Sequence, residues 1–326
     1  MTKLNQLKSF YENELLGKLQ KLEGLRKRVI GQLVFTIVAG AVSFPLMAMY
    51  LLQVVKDTVY LFMFIPLFGL LALMLYIIYD SVYKNTAFYK QYKREVIYRL
   101  IKFINPSLHY DNRLFVSTND FYKSGFFDKG ISVDFDGEEH ISGVIDDVNV
   151  EFSELEVEYK NKSEQGANGS KYMFRGVFFV AKAPKPFPAD IVVIPKAATA
   201  KVGLSAIETD NEAFNNYFQI LLPRKEEEAY ALEMLNSDFM DSLVKFRNEL
   251  PNEIHLSFVY DQVFIAISHD SNLFEPNLWK HTVGFEAIMK HFKDLYYPIN
   301  LIEHFAAHKA IHIGDENVDY EAMINS

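Results

Sequence analysis

The chain of 326 residues contains no cysteine. The absence of thiols excludes disulfide bonds, thiolate zinc sites, iron–sulfur clusters and a cysteine nucleophile. The sequence also lacks a P-loop, a dinucleotide-binding glycine pattern, a nucleophile elbow, a kinase signature and an HExxH motif. Basic residues are in deficit, with 33 against 42 acidic residues and a formal net charge of −9. A general attraction to nucleic acid is therefore not expected, and we predict no nucleic-acid partner.

Charge is missing altogether from two long stretches near the N-terminus. Residues 29–55 and residues 58–79 carry no charged side chain, and only Lys56 and Asp57 separate them. As a helix, the second stretch is about 33 Å long, which matches a hydrocarbon core of about 30 Å. Two buried helices of a water-soluble domain are the alternative, but such helices rarely sustain two uncharged runs with so short a junction. The pattern favours a transmembrane hairpin, with helix 1 at 29–55 and helix 2 at 58–79.

Basic residues flank this hairpin unevenly. Residues 1–28 contain seven and residues 81–102 contain six, whereas the turn contains one. Because lysine and arginine resist translocation, we predict a multi-pass protein of the bacterial cytoplasmic (inner) membrane with both termini in the cytoplasm. The lipid bilayer is thus the first predicted partner. The residues predicted to anchor the chain at anionic headgroups are Arg26, Lys27, Arg28, Lys90, Lys93 and Arg94.

Apolar residues continue both spans as helices beyond the uncharged stretches. Leucines and a tyrosine recur at three- and four-residue steps before the first span, which predicts a cytoplasmic amphipathic helix over 1–28. A less regular pattern predicts a helical stalk over 80–104, which ends at Asn105-Pro106 because proline disfavours helix at the preceding residue. Residues 103–326 carry a net charge of about −17. This body is expected to stand off an anionic membrane surface.

The remainder, 105–326, combines strand and helix signals. Segments rich in Val, Ile, Phe and Tyr predict strands at 130–135, 140–152, 155–159, 173–181, 191–194 and 217–222. Residues 225–248 predict one helix, 253–268 a hairpin, and 285–305 a helix interrupted at Pro298. We therefore predict an α+β fold, in which an N-terminal two-helix transmembrane hairpin with helical extensions precedes a cytoplasmic mixed α+β domain over 105–326. One domain and two subdomains, about 105–208 and 209–326, are both open.

Several segments of this region occur together in one bacterial family. They are Phe174–Val180 with the sequence FRGVFFV, Leu256–Phe258, Ile265–Ile267 and Phe274–Pro276. Over roughly 110 to 280 the chain resembles the DUF3137 family, whose members have a membrane hairpin before this region; the segment after about Lys280 falls outside the resemblance. The family's function is unknown, and the resemblance implies no catalytic residue. It implies a LemA-type membrane protein as a partner, because genes of the two kinds are often neighbours.

Histidines near the C-terminus are the candidate metal ligands. His304, His308 and His312 are spaced by four residues, and four-residue steps keep side chains on one face of a helix. His304 and His308, with Glu303 or a distant histidine such as His281 or His291, have the geometry for one zinc ion. The alternatives are a polar helix face without metal, or a strand beginning at Ala310 that destroys the spacing.

Two further residues are candidate contacts for a partner or an anion. Arg175 stands in an otherwise apolar strand, where a cation needs a partner or an outlet to solvent. An anion is one such partner, and a carboxylate of the acidic surface is the other. Trp279 is the single tryptophan of the chain. It is either a contact residue or, as is more common for tryptophan beside apolar residues, part of the core.

These features favour a membrane-anchored cytoplasmic interaction or scaffold module without catalysis and without a cofactor. The strongest sequence patterns are those for membrane anchoring and for folding, and no reactive group of residues accompanies them. A module tethered to the membrane in this way is expected to bind a protein partner. A metal-dependent enzyme that uses the C-terminal histidines is one alternative. A component of a membrane transport complex is another, which the lack of ionisable residues within the spans weakens. A homo-oligomer remains open.

Overall fold

The computed structural model describes residues 3–54, 68–69, 71–73, 75–76, 78–79, 87–127, 129, 131–145, 147–160, 171–198, 203–249, 252–269 and 274–307. Contacts divide the chain into two units, one of residues 1–100 with 274–291 and one of residues 101–273 with 292–326. The α+β class is confirmed, since long N-terminal helices precede a nine-stranded antiparallel sheet.

Two long helical segments build the first unit. Helix α1 (Lys3–Phe10) continues through a π-helical turn at Tyr11–Leu15 into α2 (Leu16–Val54). Further along the chain, α3 (Ala87–Tyr92) continues through a second π-helical turn at Lys93–Ile97 into α4 (Tyr98–Ile104). The two segments pair, and an ion pair of 3.4 Å joins Lys18 Nζ on α2 to Glu95 Oε2 in the second π turn.

The π turns follow from the spacing of the apolar residues. Phe88, Tyr92, Val96 and Leu100 are all buried and recur at steps of four. On a straight α-helix with 3.6 residues per turn, each four-residue step rotates the stripe by about 40°. A π turn takes in more residues per turn and cancels part of this drift, so the stripe stays on one face. The first π turn does the same for Leu7, Leu15 and Leu19 on the facing segment, which are also buried.

The transmembrane prediction falls partly on residues outside the description. These include the Lys56–Asp57 turn, most of 58–79, and the side chains of residues 43, 44, 47, 48, 50–52 and 54 within α2. Over what is described, no helix combines the length and the apolar character that crossing a bilayer requires.

One antiparallel sheet forms the centre of the second unit, with the strands in the spatial order β1-β2-β3-β4-β9-β8-β5-β7-β6. The strands are β1 (His109–Asp111), β2 (Val133–Ile145), β3 (Val148–Tyr159), β4 (Tyr172–Lys182), β5 (Ile191–Pro195), β6 (Ser205–Ile207), β7 (Phe218–Leu222), β8 (Ile254–Val259) and β9 (Gln262–Ser268). The predicted hairpin over 253–268 is confirmed as β8–β9, with Tyr260 at φ 54° in the turn.

Short helices connect these strands. Ser117 accepts a hydrogen bond from the Asp120 amide and caps α5 (Thr118–Lys123); Asn211 caps α6 (Glu212–Tyr217) in the same way. The single helix predicted over 225–248 is wrong. A 3-10 turn (Lys225–Glu227) and α7 (Glu228–Met234) come first, and Asn236 Oδ1 then accepts from the Phe239 amide to begin α8 (Ser237–Glu249). The interruption at Pro298 is also wrong, because α9 (Phe285–Ala307) continues through it.

Phenylalanine rings fill the core of the second unit. Phe121 of α5 stacks on Phe127 at 4.5 Å and contacts Phe178 at 5.4 Å between ring centroids. These rings belong to one buried cluster with Leu155 and Phe264, so α5 covers the middle of the sheet. Burying each aromatic side chain removes a large apolar area from water, and this explains why short local helices persist here.

Candidate functional site

A buried ion pair lies on α2, shortly before the uncharged stretch begins. Glu23 and Arg26 are three residues apart, which places them on one helix face. Arg26 Nε donates to Glu23 Oε2 at 2.8 Å, and Arg26 Nη2 donates to Oε1 at 2.6 Å. The two residues are only 8% and 5% exposed. An ion pair removed from water in this way requires further hydrogen bonds to offset the cost of desolvation.

Residues 278–282 supply these hydrogen bonds. Arg26 Nη1 donates to the carbonyl oxygen of Leu278 at 2.8 Å. The amide and the hydroxyl of Thr282 donate to Glu23 Oε2 at 3.3 and 3.1 Å, and His281 Nδ1 lies 3.1 Å from Oε1. The hydrogen bond from Arg26 lowers the pKa of Glu23 from 4.5 to about 2, against an opposing effect of burial. We call Glu23, Arg26, Leu278, His281 and Thr282 the clamp.

A second contact holds the same segment against the start of the chain. The hydroxyl of Tyr11 donates to the carbonyl oxygen of Val283 at 2.5 Å. Its ring meets that of Phe285 edge-on, with 5.2 Å between the centroids. Within the clamp, the side chain of Leu278 is fully buried. Although it belongs to the acidic body of the chain, the segment from Leu278 to Phe285 therefore packs on the N-terminal helices.

Trp279 follows directly after the clamp carbonyl and points to solvent. Its side chain is 58% exposed. Asn277 holds the turn, since its Oδ1 accepts from the Trp279 amide at 2.9 Å and its carbonyl oxygen accepts from the Lys280 amide at 3.1 Å. The core alternative for Trp279 is therefore wrong. A partner contact by this residue stays a prediction.

The predicted headgroup anchors separate into two groups. Lys27, Arg28, Lys90 and Arg94 are exposed, and for these residues the anchoring role stays a prediction. Arg26 and Lys93 are buried, at 5% and 9% exposure. Arg26 is turned inward by the carboxylate of Glu23, and Lys93 lies on the buried side of the second π turn. The predicted anchoring at lipid headgroups is therefore wrong for these two residues.

Arg175 lies on β4 directly opposite Glu156 of β3. Its Nε is 3.3 Å from Glu156 Oε2, and its guanidinium lies 5.2 Å from the centre of the Tyr172 ring. A carboxylate partner is thus present, as one of the two alternatives for Arg175 predicted, while anion binding stays a prediction. The arginine lines a small pocket of about 250 Å³ with Tyr172, Met173, Phe174, Glu253, Ser268 and His269.

Gly176 fixes the path of β4 next to Arg175. Its φ is +151°, and a Cβ at this position would lie 2.0 Å from the carbonyl oxygen of Ile267 on β9. A side chain is therefore excluded by both conformation and space. β4 and β9 therefore approach each other closely at the residue that follows Arg175.

Carboxylates face each other across β2 and β3 in three pairs, at every second position of the register. The pairs are Asp134 with Glu158, Asp136 with Glu156, and Glu138 with Glu154. Directly opposed like charges destabilise a sheet. Basic side chains offset this repulsion, since Lys160 lies 3.1 Å from Asp134, Lys171 lies 2.5 Å from Glu158, and Arg175 pairs with Glu156. In this setting Arg175 compensates charge within the sheet.

The histidine pair is only partly described. His304 lies in the last turns of α9, and His308 lies outside the described residues. Within the described part of the chain, no group of three histidine, aspartate or glutamate side chains has the geometry to hold a metal ion. The metal site at His304 and His308 stays a prediction.

Sequence reasoning missed the clamp and also missed the most deeply buried acid among the described residues. The only available signal for the clamp was a glutamate three residues before an arginine on a leucine-striped helix, because Thr282 lies 259 positions away from Glu23. The other acid is Glu139, at φ 63° in an irregular part of β2 and 1% exposed. Its carboxylate accepts from the Tyr110 hydroxyl. Burial, reinforced by the charge of Glu139, raises the pKa of Tyr110.

Comparison with known proteins gives one family match and one structural match. None of the curated proteins matches this chain. The crystal structure of the mycobacterial trehalose monomycolate transport factor A, TtfA, is similar with a TM-score of 0.31 and 9% identity, over 61% of this chain and 94% of that chain. A TM-score this low carries no argument about fold or function. The family match begins at residue 172, later than the resemblance suggested, and extends past Lys280. Residues 172–307 of this chain form a domain of the family described as "Protein of unknown function (DUF3137)".

Proposed function

We propose that the protein is a membrane-anchored cytoplasmic interaction or scaffold module that acts without catalysis. We place it in the bacterial inner membrane as a two-helix hairpin with both termini in the cytoplasm. The observation that carries the proposal is the exposed apolar surface of α2 within the uncharged stretch. Phe35 is 74% exposed, and Leu46 and Met49 are each 61% exposed.

Lipid is the medium that suits such a surface. Water-soluble proteins rarely expose long contiguous apolar patches, because each exposed side chain forgoes the free energy of leaving water. The second uncharged stretch has the same character, with Leu73 54% exposed and Tyr76 64% exposed. A Cβ at Gly40 would lie 3.7 Å from Leu75, so the two stretches approach each other as the helices of a hairpin do.

The clamp supports a tethering role for the DUF3137 domain. Leu278 and Thr282 belong to the matched residues 172–307, and both bind the ion pair on α2. A tether raises the local concentration of its cargo near the membrane, which strengthens a weak contact without any new interaction. We propose a protein as the partner, with a LemA-type membrane protein as the specific candidate from the family resemblance.

Membrane association and orientation are tested together. In cell fractions the chain should sediment with membranes, resist extraction at alkaline pH, and dissolve in detergent. A reporter that is active only outside the cytoplasmic membrane, fused after Ser326, should stay silent, whereas one fused at Asp57 should be active. Release by alkaline carbonate contradicts the anchor, and activity of the fusion after Ser326 contradicts the orientation.

A histidine variant separates the scaffold from the metal-dependent enzyme. His304→Ala with His308→Ala removes the four-residue pair, and the double variant should rescue a deletion phenotype as well as the wild type does. Detachment of the domain from the hairpin should lose most of the function. Stoichiometric zinc in the purified wild type, lost together with rescue in the double variant, would overturn the scaffold proposal.

A further inference from the structure

We infer that Trp279 is a lipid-binding residue whose indole enters the headgroup region of the bilayer; the inference rests on the membrane anchoring proposed above. The clamp fixes the position of Trp279 along the axis of α2. Arg26 binds the carbonyl oxygen of Leu278, the residue before Trp279. Three residues later the uncharged stretch begins at Val29, which is about 4.5 Å further along the helix axis.

The distance from the clamp to the start of the uncharged stretch fits an interfacial position. Measured along the helix axis from Arg26 to Val29, this distance is about 4.5 Å. The headgroup region occupies about 5–8 Å on each side of the hydrocarbon core. Trp279 is therefore held at the level of this region, and tryptophan is enriched there because its ring is apolar while its N–H bonds to polar groups.

Exposed basic residues surround the same level. Lys27 and Arg28 follow the clamp arginine on α2, and Lys280 follows Trp279. Such side chains attract anionic headgroups close to the surface. The turn around Asn277 is hydrogen-bonded, so the indole is presented in a defined place and little ordering is needed on binding. An anionic phospholipid surface has the chemistry that matches both the ring and the charges.

The chain is its own probe, because Trp279 is the only tryptophan. The full chain is reconstituted into liposomes of zwitterionic and anionic phospholipid, and emission is excited where tyrosine does not absorb. Lipids brominated near the headgroup end of the acyl chains should reduce emission at least twofold. Lipids brominated deep in the chains should quench less, and iodide in the water should quench little.

Two relocated tryptophans calibrate the depth. In a Trp279→Phe background, Phe35→Trp places the ring on the exposed apolar face of α2, where deep bromine should quench best. Tyr260→Trp places it in the exposed β8–β9 turn, 66% exposed, where iodide should quench best. In one outcome, the protein floats with the liposomes while Trp279 is quenched as the tryptophan of the Tyr260→Trp variant is, best by iodide. This result overturns the lipid contact and leaves the anchoring intact. Protein that does not float with liposomes overturns both.

Discussion

Arg26 Nη1 donates a 2.8 Å hydrogen bond to the carbonyl oxygen of Leu278, 252 positions further along the chain. The contact joins α2 to a residue of the DUF3137 domain. It depends on Glu23, because a buried guanidinium without a carboxylate carries an uncompensated charge. The same carboxylate accepts two hydrogen bonds from Thr282. Glu23 therefore binds both Arg26 on α2 and Thr282 in the segment that packs on α2.

Glu23→Gln should release the segment around Thr282. The variant keeps the shape of the side chain but leaves Arg26 without a counter-charge, and we expect a loss of about 3 kcal/mol of local stability. Amide hydrogen exchange of residues 278–285 in the full chain in detergent measures it as a loss of protection of about 100-fold. Glu14→Gln, at an exposed position before α2, is the matched control and should change little.

The clamp should also open in acid. The pKa of Glu23 is about 2 in the folded protein and near 4.5 otherwise, so its stabilisation is complete above about pH 4.5 and is lost as the pH falls toward 2. After correction for intrinsic exchange, protection of residues 278–285 should decline over this range in the wild type and not in Glu23→Gln. A decline of equal size in both proteins would assign it to other groups.

Gly176→Ala should disrupt the sheet. The new methyl group would lie 2.0 Å from the Ile267 carbonyl oxygen at φ +151°, and we expect a loss above about 4 kcal/mol, visible as poor soluble yield or a large fall in Tm. Gly203→Ala is the control, since Gly203 has φ +90° and none of the described residues has an atom within 4 Å of its Cβ position; it should lose about 1 kcal/mol. Equal losses of stability in the two variants would mean that the positive φ, and not the close contact with Ile267, causes the loss.

Local patterns predicted β4, β5, β7, β8 and β9, but they missed β1 and β6, and the predicted strand over 140–152 wrongly joins the end of β2 to the start of β3. The long-range pairs were not predicted. The apolar, β-branched and aromatic residues of β4, β8 and β9 form short local runs, and these three strands lie where the runs predict them. The break between α7 and α8 is set by one hydrogen bond that the Phe239 amide donates to Asn236 Oδ1, and helix propensity averaged over a long window does not reveal it. Arg26 looks like a membrane anchor in sequence. Its hydrogen bond to Leu278, and the hydrogen bonds from Thr282 to its partner Glu23, place it in the interior, and these contacts lie far apart along the chain.

His255 should make the sheet unit sensitive to mild acid. Its ring packs against Phe126 and Phe127, and burial lowers its pKa from 6.5 to about 4. The unfolded chain therefore binds a proton that the folded chain does not, and stability present above pH 6.5 is lost as the pH falls toward 4. Because His255 as a residue is only partly buried, we expect at most about 3 kcal/mol. Denaturant unfolding at pH 7 and pH 4.5 measures the loss.

His255→Leu should remove this pH dependence. Within the described residues Nδ1 of His255 has no hydrogen-bond partner, so leucine leaves no polar group unpaired and should be neutral or stabilising at pH 7. His109→Gln, on an exposed part of β1, serves as the control and should keep the wild-type dependence of the free energy of unfolding on pH. An unchanged slope in His255→Leu would show that another group titrates.

Excision of residues 105–326 should separate the stability of the sheet from that of the clamp segment. The sheet has its own core around Phe121, Phe178 and Phe264, so the fragment should unfold cooperatively with mixed helix and strand content. Residues 274–291 contact the N-terminal helices in the full chain and lose these partners in the fragment. Their amides should therefore exchange rapidly in the fragment, while those of β4 and β9 stay protected. Protection of residues 278–285 equal to that in the full chain would show that the clamp is dispensable, and aggregation of the fragment in several versions would show that the sheet depends on the first unit.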